Sequence, residues 1–176
     1  SIRRQRQMCI RDSGGTVRLA IFQTAAMALL TPTLEALGAS YPHLNVEVIQ
    51  REPEAALEQT HMRDIDLVVA EQYPHRSVRE FNELDSRPLN EDPVMLAVRP
   101  ESTIQSIKDA AEASWVMESR ENASRGWAQH VCRTAGFEPR VTFEFNDVRA
   151  HIDLVERGLA VALLPGFAWS CLLYTS

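Results

Sequence analysis

The sequence predicts an α/β fold of parallel-rich sheet divided into two lobes, and three observations predict it. Short apolar runs that read as strands alternate with helical stretches along the whole chain. Several of these runs pass into a polar break that opens a helix, as VRLAIF passes into Gln23 and Thr24. Pro88 and Pro93 bracket the junction at 87–91, where one buried sheet gives way to another.

VRLAIF, residues 17–22, is the first strand. The helix expected over 26–40 spaces Leu30, Leu34, Leu37 and Tyr41 near 3.6 residues as one buried stripe, with Thr33 and Glu35 on other faces. Pro32 has no N–H to donate, so the first turn is expected to be irregular, or the regular helix to begin near Leu30 or Thr31. Pro42 pushes Tyr41 out of the helical region, and LNVEVI then alternates as a second strand parallel to the first. Residues 53–62 read as a helix with Pro53 in its first turn and Ala56 and Leu57 inward. DIDLVVA is apolar enough for a central parallel strand covered on both faces, with Glu71 and Gln72 leaving its carboxyl end. Residues 71–83 are charged and aperiodic, a surface loop or short helix.

The second half repeats the alternation without repeating the sequence. A strand over 94–98 stops at Pro100, and 102–111 reads as a short helix. Trp115, Val116 and Met117 form a brief strand, followed by polar residues 118–122 and a helix to about Ala135, capped by Gly136. VTFEF, residues 141–145, is the next strand; Asn146 is the expected cap of a helix over 147–156, with Asp147 in its first turn at the positive end of the dipole. Gly158 closes that helix, and residues 159–165 form another buried strand.

A chain of 176 residues can bury a core of one domain or two small lobes. Its ends stand apart from the rest. RRQRQMCIRDS and CLLYTS resemble translated sequencing-adapter sequence, so residues 1–13 and the end of the 166–176 stretch are expected to be non-native tails on a chain cut at both sides. The plainer alternative for the first is a basic arm. Residues 1–13 hold four arginines against one aspartate, a net +3, so a chain of net −6 carries −9 in the remainder. That acidic surface repels a phosphate backbone, and this part of the chain is not expected to hold DNA itself. No uninterrupted apolar span is long enough for a membrane. Cys132 is the only cysteine outside the suspect ends, which argues against a disulfide framework and fits a reducing, cytoplasmic compartment.

Catalytic signatures do not emerge. The sequence holds no GxSxG elbow, Gly-rich phosphate loop, HExxH or CxxC. His43, His61, His75, His130 and His151 make no ligand spacing and read as surface or locally bonded histidines, so no metal and no cofactor is expected. Cys132 reads as a small core residue rather than a nucleophile, and Asp64 with Asp66 as the cap of a strand start rather than a carboxylate pair.

Binding chemistry is easier to place. Phe22, Gln23 and Thr24 lie between a strand's carboxyl end and a helix, where free backbone amides and the helix dipole favour a carboxylate or similar anion. Ser119, Arg120 and Asn122 follow the Trp115 strand and precede another helix, and Asn146 follows the 141–145 strand. Arg120 offers the best fork of donors for a ligand carboxylate. For each of these polar residues, capping or turn formation is the competing role.

The segments GGTVRLAIFQTAAMALLTPTLEALGASYPHLNVEVI, DIDLVVA, RPLNEDPVMLAVRPES and FNDVRAHIDLVERGLAVALLP, in that order and separation, resemble the effector-binding domain of LysR-type transcriptional regulators across residues 14–165. The resemblance implies two Rossmann-like lobes in a periplasmic-binding-protein-like (type 2) layout, closing on a small metabolite. Lobe I would be 14–88, incomplete at its C-terminus, and lobe II 89–165, with Arg87 and Pro88 in one crossover and Pro165 at the other. It also implies a homodimer or homotetramer, and DNA contact only through an N-terminal helix-turn-helix domain missing here. Ligand identity does not carry over, because effector contacts vary in this family. A solute-binding protein of a transporter shares the layout and is the alternative, and an enzyme of the prephenate dehydratase kind would need an acid–base constellation the sequence does not offer.

Overall fold

The computed structural model describes residues 15–74 and 81–170. The chain divides into two units, Ser1–Glu71 with Val78–Pro88 and Gln72–Ser77 with Leu89–Ser176. Residues 1–13, the end of the 166–176 stretch and His75 lie outside the described residues.

The first unit is built on β1 (Thr16–Ile21), β2 (Asn45–Gln50) and β3 (Leu67–Val69), in the order β2-β1-β3 with both pairings parallel. β1 is therefore the central strand, and its Leu19, Ala20 and Ile21 are buried. DIDLVVA was expected at the centre, covered on both faces; instead β3 is an edge of the described sheet and Leu67 is 54% exposed. A continuous apolar run does not say how many strands flank it. The approach to β3 is fixed by Asp66, whose carboxylate accepts the Arg18 N–H at 3.0 Å while its own N–H donates to Arg18 C=O at 3.0 Å. That is the strand-start capping expected of this aspartate.

From β1 the chain enters a helical segment, α1, made of Gln23–Ala25, a π-helical turn Ala26–Leu30 and the regular Thr31–Ser40. The helix thus begins three residues earlier than expected. Its wide turn accommodates Pro32, which lacks a donor for an ordinary i→i−4 bond and whose ring would crowd the carbonyl four residues back. The expected stripe is only partly realised. Leu34 and Leu37 are half-buried, no residue of Thr31–Ser40 is fully buried, and Tyr41, past the helix end, is 59% exposed. α2 (Pro53–His61) packs Ala56 with Ala20 and Ile65 in a small core, Val68 lying against it.

In the second unit β4 (Val94–Ala97) pairs antiparallel with β7 (Ala162–Pro165), and β5 (Ser114–Met117) pairs parallel with β6 (Arg140–Glu144). A parallel bridge from Trp115 to Val161 links the two pairs. The helices are α3 (Ala123–Thr134), α4 (Val148–Glu156) and the short α5 (Gly166–Ser170). The helix expected over 102–111 shrinks to one 3₁₀ turn, Lys108–Ala110. Side chains capture its amides first: Ser102 Oγ accepts from Ile104, and the Asp109 carboxylate accepts from Gln105, Ser106 and the Ser106 hydroxyl. Trp115, wholly buried, centres the core with Ala110, Met117, Ala128, Cys132 and Val161, and its indole N–H donates to Ala110 C=O at 3.1 Å. Burying a ring of this size is worth about 5 kcal/mol of transfer free energy.

Candidate functional site

In the first unit the site residues sit at the β1–α1 joint. Phe22 is extended (φ −81°, ψ 163°) and stands immediately before the helix, and its own side chain makes no capping bond. Its carbonyl accepts the Ala26 N–H at 3.0 Å, while Thr24 and Ala25 are buried. Strand and helix are encoded within a few residues of each other, which is why this joint is legible in sequence. The start of a helix, at the positive end of its dipole, is an electrostatic setting suited to an anion.

In the second unit the structure brings Ser119 and Asn146 together: Asn146 Oδ1 accepts the Ser119 N–H at 2.9 Å. Asn146 was expected to cap the following helix. That task falls to Asp147, whose carboxylate accepts the Arg149 N–H at 3.0 Å and which lies outside the first turn. Asn146 is thereby released to tie the end of β6 to the end of β5. Asn122 caps α3 through the Ser124 N–H at 3.1 Å and the Ser124 hydroxyl at 2.8 Å.

Arg120, read from sequence as the best guanidinium, is exposed. The buried one is Arg125, in the first turn of α3 and 3% exposed. Its Nη1 donates to Glu118 C=O at 2.7 Å and to the Glu144 carboxylate at 3.1 Å. His151, 1% exposed on α4, makes a 2.6 Å hydrogen bond from Nε2 to Phe145 C=O. Sequence reasoning missed both as organisers of this corner. The available signal was placement: each sits on a helix just after a strand-to-helix loop, within reach of the strand ends that loop follows.

Arg87 and Pro88 are exposed at the end of the first unit, and Pro165 closes β7 opposite Val94. Cys132 is wholly buried, its thiol pushed up to about 11 by burial and, secondarily, by the Glu138 charge, so it is no nucleophile at neutral pH. Among the described residues no group of His, Cys, Asp and Glu is arranged to hold a metal, and no helix is long and apolar enough to cross a membrane.

Two α/β units whose strands run into helices through polar loops define a periplasmic-binding-protein-like ligand-binding domain. The chain belongs to the LysR substrate binding domain family, whose sequence model matches residues 11–173. It is 24% identical over 155 residues to the HTH-type transcriptional regulator CysL of Bacillus subtilis (strain 168), covering 85% of this chain and 50% of that protein. The chain thus spans about half the length of that relative. The C-terminal domain of a probable LysR family regulator from Rhodococcus sp. RHA1 superposes with a TM-score of 0.74 at 24% identity, over 85% of this chain and 73% of that one. The BenM effector binding domain, solved with its effector benzoate, gives 0.68 at 18% identity, over 88% and 72%. The transporter alternative is not favoured by these matches.

Proposed function

We propose that this chain is the effector-sensing domain of a bacterial LysR-type regulator, acting by binding rather than catalysis. Residues 14–88 and 89–165 serve as its two lobes. The effector is a small polar or anionic metabolite held by Phe22, Gln23 and Thr24 of the first unit and Ser119, Arg120 and Asn146 of the second. The observation that carries this reading is the family match over residues 11–173, within which Phe22, Gln23 and Thr24 stand where the central strand β1 passes into α1. BenM's effector, benzoate, is a carboxylate, the kind of group such a helix start favours. Effector binding shifts the populations of domain arrangements, and DNA contacts are made by a separate helix-turn-helix part of a cytoplasmic homodimer or homotetramer.

A calorimetric screen of small carboxylates, beginning with benzoate, tests the proposal. Thr24→Ala weakens the binding of a hit by about 0.5–1.5 kcal/mol, the worth of one hydrogen bond, and by more if a buried partner is left unpaired. Binding untouched by Thr24→Ala, Gln23→Ala and Asn146→Ala alike rules out this site.

A further inference from the structure

Arg125 is a charge withdrawn from water whose only ion-pair partner among the described residues, Glu144, has a side chain 50% exposed. Its buried Nε has no hydrogen-bond partner among the described residues. A guanidinium satisfied this incompletely is a poor device for stability, since desolvation offsets most of what the wet carboxylate returns. Its placement makes more sense one bond away. Glu118 C=O and Ser119 N–H are the two edges of a single planar peptide. Arg125 Nη1 holds the C=O edge at 2.7 Å, and Asn146 Oδ1 holds the N–H edge at 2.9 Å. The Asn122 N–H, donating to Ser119 C=O at 3.0 Å, closes the turn just beyond. A cation on the carbonyl also polarises the peptide and makes its N–H a stronger donor to Asn146.

We infer that Arg125 is a positioning residue: by fixing the Glu118–Ser119 peptide it sets Ser119 against Asn146 and so organises the second unit's part of the binding site. Its functional meaning rests on the effector-binding reading, but the geometry and the test do not. His151 steadies the same corner from α4 through Phe145 C=O. Arg125 thus answers for the β5 side of the corner and His151 for the β6 side.

The test is residue-resolved amide hydrogen exchange on the 176-residue chain. Arg125→Met keeps an apolar stem and removes the charge together with its desolvation cost, so the fold is retained. The Ser119 amide then exchanges about tenfold faster, while the amides of Val116 and Phe137, bonded to Val161 and Cys132 carbonyls, keep their rates. Arg125→Lys keeps the charge but ends in a compact, rotatable ammonium on a shorter stem, which holds the Glu118 carbonyl less firmly than Nη1 and gives an intermediate rate. Either variant suffices. A wild-type rate at Ser119 overturns the inference, and so does acceleration of Ser119, Val116 and Phe137 together, because a merely structural arginine loosens the whole unit. No ligand enters the measurement, so its outcome is independent of whether the effector site is correct.

Discussion

Cys132 and the two arginines, Arg120 and Arg125, show what burial does to chemistry. Cys132, packed beside Trp115 and Ala128, prefers its neutral form because a thiolate there would lose its hydration. Its pKa rises from 9.0 in the free thiol to about 11 in the fold. The stability linked to that shift is fully present below about pH 9 and is lost as the pH climbs towards 11, where the unfolded chain has already released its proton. Cys132 is therefore expected to resist alkylation in the native protein at pH 8 and to react once denaturant is added, as read by peptide mass mapping. Rapid native labelling contradicts the burial. Arg120 and Arg125 carry the same guanidinium, and the sequence favoured Arg120 for its fork of donors in the loop after the Trp115 strand. Only burial separates them. Arg120 is exposed, whereas Arg125 is enclosed and bonded to both strand ends.

At the level of elements, the joint after β7 depends on one glycine. The Phe167 N–H donates to the Asp92 carboxylate at 3.0 and 3.2 Å, and the Gly166 N–H donates to Pro93 C=O at 3.0 Å, stitching the end of β7 to the entry of β4. A Cβ at Gly166 would run into Asp92 Oδ1. Gly166→Ala therefore drives the carboxylate off the Phe167 amide and lowers stability by about 1–3 kcal/mol in chemical denaturation. Asp92→Ala removes the obstacle along with the cap, so the double variant costs less than the two single losses together. Additivity argues against the clash. The neighbouring joint obeys a different rule: Gly158 sits at φ +68° after α4, a left-handed position its sequence context announced.

At the level of the whole molecule, helix α1 presents more apolar surface than its own unit covers. No residue of Thr31–Ser40 is fully buried, Leu29 is half-buried, and Tyr41 just past the helix is exposed. With self-association proposed, this face is the candidate contact between copies. Leu29→Glu should lower the mass measured by light scattering, and an unchanged mass rejects this face as the interface. The acidic charge of the chain, −6 overall, disfavours contact with a phosphate backbone.

The sequence by itself determined the alternation of strands and helices, the family, the β1–α1 joint and the inert character of Cys132. Each of these is written in residues close together, where apolar period, proline and glycine act locally. The tertiary structure alone decided that β1 rather than β3 is central. It also decided that Asn146 serves Ser119 instead of capping α4. Asn146 and Ser119 are 27 residues apart, and Arg125 and Glu144 are 19 apart. Partners at such separations are chosen by strand pairing and by the cost of leaving a buried polar group unpaired, neither of which a local pattern records.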